Sequence, residues 1–312
     1  MKEHEAAIGC GMSRRQFLEL SGAGLASAAL LGATEYGSSA LAAPVAAGSK
    51  TLTLGNIGWD ECVATSNLTA VLLEQDLGYK SVHLTLADVG LLFEGVATGN
   101  LDAFEDVWLP NHAQYLARVK DKVQLLSPWY IGTTKFSLAA PSYMHITSIG
   151  QINSSGAKAI YGVEPGAVIT GKIVNNVIPE YHLKVQFIPS STPAMLSEVA
   201  KLYPKKEPFI FIAWSPHWMN SKYKFNYLSD PKGALGNLTH PSRIATLVHK
   251  GLDKSDPAAY AFLKSMRLTD KQVNQMEAYI NQAGDPAKGV NNWLKKNRHV
   301  VQPWVNAAKK AV

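Results

Sequence analysis

The order of short apolar runs and helical stretches constrains this chain most, because the same order occurs twice. In the first set, apolar runs at Thr51–Ile57, Ser81–Leu86 and Leu101–Val107 alternate with helical stretches at Cys62–Leu77 and Val89–Thr98. A β-α-β-α-β order is typical of a parallel sheet covered by helices. The sequence therefore predicts a parallel α/β sheet at the start of the folded chain.

A second α/β set follows the first. Its predicted strands are Ala157–Val163, Val185–Ile188 and Pro208–Ala213, and its predicted helices are Ala167–Val177 and Thr192–Leu202. Two α/β sets in one chain predict two lobes that flank a cleft, where small ligands bind.

Two further apolar runs are expected to join the lobes. Thr133–Ala140 is predicted to cross between them and Ser242–His249 to return. The tail is predicted to be helical, with helix starts at Ser255-Asp256-Pro257 and Asp285-Pro286. We expect residues 43–135 to form the first part of lobe 1 and residues 136–238 to form lobe 2. Residues 239–312 return to lobe 1 and add the C-terminal helices.

Composition excludes several classes of protein. A chain with 46% hydrophobic and 17% charged residues is not intrinsically disordered. Two cysteines among 312 residues cannot build a disulfide scaffold or a cysteine-rich zinc site. The net charge of +6 comes without a long Lys/Arg run, so no nucleic-acid partner is expected.

The first residues have the pattern of an export signal. Arg14-Arg15 precedes an apolar, Ala/Gly-rich stretch, and Ala40-Leu41-Ala42 supplies the small residues that a signal peptidase recognises. We predict a twin-arginine signal over residues 1–42 with cleavage near Ala42, and a periplasmic mature protein. A retained membrane anchor is the alternative.

Three tryptophans fall at or just beyond the predicted strand ends: Trp59, Trp108 and Trp214. Ligands of open α/β sheets bind beyond the carboxyl ends of strands. Aromatic faces attract a quaternary ammonium group, which is positive and has no N–H to donate. The positions therefore predict an aromatic cage for a quaternary amine, with ordinary core packing as the alternative. The other four tryptophans are predicted to pack in the interior: Trp129, Trp218, Trp293 and Trp304.

A strand-to-helix turn at Gly162-Val163-Glu164-Pro165-Gly166 suggests an anion site. Backbone N–H groups at a helix start hold a carboxylate without a charged side chain, although the same sequence also suits a simple turn. His112, four residues after Trp108, is a candidate donor to the same carboxylate.

These runs, taken together, resemble one known family. Gly58-Trp59-Asp60-Glu61, the segment from Asp102 to His112, the Gly162–Gly166 turn and Trp214-Ser215-Pro216-His217-Trp218 resemble the glycine betaine-binding subunits of osmoprotectant ABC importers. The resemblance extends from Thr51 to the C-terminus. It implies a two-lobed, type II-like periplasmic binding protein, expected to be a monomer, which delivers its ligand to a membrane permease.

The resemblance also assigns roles to residues. It implies that Trp59, Trp108 and Trp214 enclose the trimethylammonium group. It further implies that the amides of Gly162 and Val163, with His112, hold the carboxylate.

Related choline binders have an acidic residue where Glu61 lies and an aromatic one where Phe136 lies. The resemblance thus adds Phe136 and Glu61 to the cation cage. A carboxylate there favours a cation without its own carboxylate, whereas the backbone amides at Gly162 and Val163 favour a ligand that has one. Glycine betaine is the leading ligand, and choline and carnitine remain as alternatives.

Two other classes of function stay open at this point. An exported enzyme is the first, but the mature chain has no nucleophile-elbow, zinc-protease or phosphate-loop pattern, so no catalytic residue, cofactor or metal is expected. A ligand sensor that docks on a receptor is the second.

Overall fold

Two five-stranded sheets organise residues 50–312, the part of the chain that the computed structural model describes. The predicted export signal at residues 1–42 lies outside the described residues. The strands are β1 (Thr51–Asn56), β2 (Ser81–Leu86), β3 (Ala103–Leu109), β4 (Val123–Leu125), β5 (Tyr130–Ile131), β6 (Lys135–Pro141), β7 (Ala159–Tyr161), β8 (Gln186–Ile188), β9 (Ile210–Ser215), β10 (Phe225–Tyr227), β11 (Arg243–His249) and β12 (Leu268–Thr269).

Helices lie between and after these strands. They are α1 (Asp60–Leu77), α2 (Val89–Thr98), α3 (Ala113–Val119), α4 (Val168–Lys172), α5 (Ile178–Glu180), α6 (Thr192–Leu202), α7 (Met219–Lys222), α8 (Leu252–Ser255), α9 (Pro257–Ser265), α10 (Asp270–Ala283) and α11 (Pro286–Lys310). A π-helical turn at Ile173–Val177 joins α4 to α5. None of the helices in residues 50–312 is both long enough and apolar enough to span a membrane.

The first sheet has the order β2-β1-β3-β11-β4. β1 runs parallel to β2 and β3, as predicted, whereas β11 runs antiparallel to β3 and β4. The sheet thus contains the predicted parallel set and gains an antiparallel return strand. The chain returns from the other sheet at the edge where β3 ends, and Arg243 at the start of β11 pairs with Leu109 at the end of β3. A strand that enters at that edge must run back against its neighbour.

The second sheet has the order β10-β6-β9-β7-β8 and shows the same mixture. β7 is parallel to β8 and β9, while β6 is antiparallel to β9 and β10. The sheets are the centres of two lobes. The first lobe holds the first sheet with α1 to α3 and α8 to α11, and the second lobe holds the second sheet with α4 to α7.

The helix starts follow from local sequence. The Asp256 carboxylate accepts a hydrogen bond from the Ala259 N–H, and Asp285 accepts one from the Lys288 N–H at 2.8 Å. In both places an aspartate precedes a proline at the first helical position, where the missing N–H costs nothing. Both predicted helix starts are confirmed, and α10 and α11 pack on α1.

Candidate functional site

A pocket lies between the two lobes. The first lobe lines it with Trp59, Glu61, Trp108, Asn111 and His112, and the second lobe with Phe136, Val163, Ala167, Val168 and Trp214. All the predicted site residues except Gly162 therefore meet in one place. Its surface is mostly apolar, as expected of a small-molecule site.

Strands of both sheets bring three of the aromatic walls together. Trp108 lies near the end of β3, Trp214 near the end of β9, and Phe136 on β6 is the register partner of Trp214. The Phe136 ring centroid is 6.1 Å from that of Trp108 and 6.3 Å from that of Trp214. These distances are typical of packed aromatic pairs, so the three rings form a continuous surface.

Trp59 reaches the pocket differently. It is the residue that precedes α1, and it follows Gly58, whose φ of 85° suits glycine. Its indole N–H donates to Glu164 Oε2 of the second lobe at 2.9 Å. Glu164 is itself fixed by the Thr192 backbone N–H at 2.8 Å and the Thr192 hydroxyl at 2.9 Å. The orientation of the Trp59 ring is therefore set from across the cleft.

The other two tryptophans also donate to acidic side chains. The Trp108 indole N–H donates to Asp106 Oδ1, and the Trp214 indole N–H donates to Glu61 Oε2, both at 2.8 Å. The three side chains are 4–8% exposed. All three indole N–H groups are therefore engaged by protein acceptors, and the three residues line the pocket.

Glu61 lies at the base of the pocket and is 1% exposed. Burial, with the nearby carboxyl groups of Asp106 and Glu277, raises the pKa of Glu61 well above its usual value. Burial and neighbouring carboxyl groups both favour the protonated, neutral form of a carboxyl group, so the surroundings of Glu61 disfavour its charge.

Two further acids lie behind Glu61 in β3. Burial raises the pKa of Glu105 to about 8, although the Thr69 hydroxyl donates to its Oε1 at 2.7 Å. Burial also raises the pKa of Asp106 to about 7. Glu105 Oε2 and Asp106 Oδ2 have no hydrogen-bond partner among the described residues. The burial of Glu105 and Asp106 next to Glu61 was not anticipated from the sequence, because Glu61 is more than 40 residues from both and burial depends on tertiary packing.

His112 is 3% exposed and lines the pocket. Its Nδ1 accepts a hydrogen bond from the Trp108 backbone N–H at 3.1 Å, so the ring proton resides on Nε2. Burial lowers the pKa of His112 to about 3, so the ring is neutral. The side chain therefore offers one uncharged N–H donor to the pocket.

Gly162 has a role that differs from the predicted one. Its N–H donates to the Ile188 carbonyl at 2.8 Å, so that amide is already engaged by β8. A Cβ at this position would lie 2.7 Å from the Phe187 ring, which explains why glycine stands there. In residues 50–312, no acceptor lies within reach of the Val163 N–H, and Val163 lines the pocket.

Sequence reasoning missed three lining residues: Asn111, Ala167 and Val168. Asn111 is buried, and its Oδ1 lacks a partner among the described residues. It lies between Trp108 and His112, inside a run that the family resemblance had already singled out. Val168 begins α4, where first-turn N–H groups have no partner within the helix.

No cluster of three or more His, Cys, Asp or Glu side chains within residues 50–312 is arranged to hold a metal ion. The Trp129 and Trp293 side chains are fully buried in the first lobe, and Trp304 is nearly so, as predicted for packing residues.

Comparison with known proteins relates this site to transport proteins. A glycine betaine/carnitine transport binding protein of Listeria monocytogenes is 34% identical over 154 residues, which cover 48% of this chain and 50% of that protein. The match thus spans about half the length of this relative.

Solved structures match over more of the chain. The lactococcal OpuAC, closed with glycine betaine bound, is 31% identical with a TM-score of 0.74, covering 82% of this chain and 100% of that one. A choline-binding protein of an ABC transporter, in complex with choline, shares the fold at 24% identity with a TM-score of 0.73, covering 84% of this chain and 97% of that one.

Residues 50–296 match the family described as the substrate binding domain of the ABC-type glycine betaine transport system. That segment is well over half of the chain and contains every residue of the pocket. The protein therefore belongs to this family of ABC-transporter substrate-binding domains.

Proposed function

We propose that the pocket binds a quaternary ammonium compound, with glycine betaine as the leading ligand, and that the protein delivers it to a membrane permease. The observation that carries this proposal is the convergence of Trp59, Trp108, Phe136 and Trp214 from both lobes on one pocket.

The arrangement of the rings favours a cation without N–H groups. The three indole N–H groups are bonded to acidic side chains, so the rings offer π surface rather than hydrogen-bond donors. A desolvated cation–π contact contributes about 2 kcal/mol. Several such contacts support micromolar binding, which corresponds to roughly −8 kcal/mol. A primary ammonium would leave its N–H donors unpaired against these faces, which is costly.

The rest of the pocket suits a carboxylate. The His112 Nε2–H, the Val163 N–H and the first-turn N–H of Val168 all belong to residues that line it. Together they form a neutral set of donors for one carboxylate, as at helix N-termini elsewhere. Gly162 is not part of this set, because its N–H is bonded to Ile188.

Choline and carnitine are the alternative ligands, and Glu61 is the reason for keeping choline. An ionised Glu61 would neutralise a cation that has no carboxylate of its own. Because burial and neighbouring acids raise its pKa, Glu61 gives little counter-charge and does not repel the carboxylate of glycine betaine. For this reason we rank glycine betaine above choline.

Binding requires no covalent chemistry and no catalytic residue. Each lobe supplies part of the pocket, so a ligand that touches both lobes stabilises the closed form over the open form. We propose lobe limits near residues 135 and 238, a monomer, and a periplasmic location from which the closed protein reaches its permease.

Isothermal titration calorimetry with glycine betaine, choline, carnitine, proline betaine and proline tests the ligand class. We expect the quaternary amines to bind with micromolar affinity, glycine betaine most tightly, and proline weakly. Proline has no quaternary nitrogen, so tightest binding of proline would refute the cage.

We further propose that residues 1–42 direct export by the twin-arginine route. Changing both Arg14 and Arg15 to Lys keeps the charge but removes the paired guanidinium groups. We expect the full-length variant to remain in the cytoplasmic fraction while the unchanged protein reaches the periplasm. Equal periplasmic amounts would exclude this route.

A further inference from the structure

A second group of contacts crosses the cleft outside the pocket. Asp60 begins α1 in the first lobe, and His217 and Trp218 follow β9 in the second. The Trp218 indole N–H donates to Asp60 Oδ1 at 2.6 Å. None of the three residues lines the ligand pocket.

Other contacts hold His217 and Trp218 in place beside the first lobe. His217 Nδ1 accepts from the Met219 N–H at 3.0 Å, which leaves the ring proton on Nε2. That nitrogen lies 3.1 Å from Asp60 Oδ2, without the alignment of a full hydrogen bond. The Trp218 backbone N–H donates to Glu277 Oε2 on α10 at 2.6 Å. Two carboxyl groups of the first lobe therefore hold one short segment of the second.

The negative charge on Asp60 strengthens its hydrogen bond with Trp218. Burial raises the pKa of Asp60, but the interactions with His217 and Trp218 outweigh it, so the pKa of Asp60 lies below its usual value. The start of an 18-residue helix also favours an anion at this position. Hydrogen bonds to an ionised acceptor are stronger than neutral ones.

We propose that Asp60 and Trp218 form a cross-cleft clasp that stabilises the closed form without touching the ligand. This inference rests on the proposed function, because closure then sets the affinity for every ligand by the same factor. Apparent affinity is proportional to the population of the binding-competent form. The clasp therefore acts on affinity and leaves ligand selectivity unchanged.

Trp218→Phe tests the clasp, because it removes the indole N–H and keeps an aromatic ring beside Lys222, whose Nζ lies 5.0 Å from the Trp218 ring. We expect the Kd for glycine betaine and for choline to rise by the same factor, about tenfold. Trp129→Phe is the matched control, since its indole N–H bonds to the Glu105 carbonyl within the first lobe. This control should leave both Kd values unchanged.

The outcomes separate the clasp from the proposed function. Unchanged Kd values in Trp218→Phe, or different factors for the two ligands, would overturn the clasp. If the unaltered protein binds neither ligand, the proposed function fails and the clasp is judged from spin labels at exposed Lys122 and Lys158, one in each lobe. We expect Trp218→Phe to shift their separation towards longer distances, and an unchanged distribution would overturn the clasp.

Discussion

Replacing Trp214 with leucine removes one aromatic wall and keeps an apolar side chain of intermediate size. Trp214 is 4% exposed, packs at 6.3 Å from Phe136, and donates its indole N–H to Glu61. The substitution deletes a cation–π contact and one hydrogen bond that crosses the cleft. Only the first of these depends on the charge of the ligand.

The expected loss of affinity is the sum of these two contributions. The lost cation–π contact amounts to about 2 kcal/mol, or roughly a 30-fold change in Kd. The lost hydrogen bond contributes about 1 kcal/mol and affects charged and neutral ligands equally, because it acts on closure. Choline should therefore lose roughly 30-fold more affinity than its neutral isostere, in which carbon replaces the quaternary nitrogen.

Titration calorimetry of both ligands against both proteins forms a thermodynamic cycle that isolates the charge-dependent part. Trp304→Leu is the control, because Trp304 packs in the first lobe 6.1 Å from Phe262 and loses the same chemical group away from the pocket. If choline and its isostere lose equal affinity in Trp214→Leu, the cation–π reasoning is refuted.

Two further predictions concern other groups of the site. His112→Phe keeps an aromatic ring but removes the N–H donor, so the Kd for glycine betaine should rise about tenfold while that for choline stays constant, measured by calorimetry. An equal loss for both ligands would remove His112 from the carboxylate site. The folded state holds protons on Glu105 and Asp106, whose pKa values are raised to about 8 and 7, whereas the unfolded chain loses them near pH 4. The unfolded chain therefore binds fewer protons over this interval, and the free energy of unfolding should fall as pH rises from 5 to 6, by about 1.4 kcal/mol per pH unit for each group. Urea unfolding at several pH values measures this dependence. Glu105→Gln should reduce the slope of the free energy of unfolding against pH by the contribution of one group, and an unchanged slope would contradict the raised pKa of Glu105.

Much of the fold was accessible from the sequence. The bounds of β2, α2 and α6 were predicted to the residue, because hydrophobic periodicity and capping residues are local signals. Short strands such as β4, β5 and β10 were not predicted, because two or three residues carry no periodicity and owe their conformation to the neighbours they pair with.

The candidate site, like the fold, could be predicted only in part from the sequence. The type and spacing of Trp59, Trp108 and Trp214 were enough to predict an aromatic pocket, because strand ends of an α/β lobe meet at one edge. The acids that hold these rings were not predicted as partners. Trp59 and Glu164 are 105 residues apart, and Trp214 and Glu61 are 153 apart, so only folding brings each pair together.

The sequence alone determined the α/β class, the two lobes and the aromatic residues that line the pocket, since each follows from local pattern and side-chain chemistry. The tertiary structure alone decided which backbone amides remain free, which carboxyl groups are buried, and which contacts cross the cleft. Those properties depend on the surroundings of a group. The Gly162 amide is engaged because β8 lies beside it, and Asp60 meets Trp218 because the fold brings the start of α1 close to the end of β9.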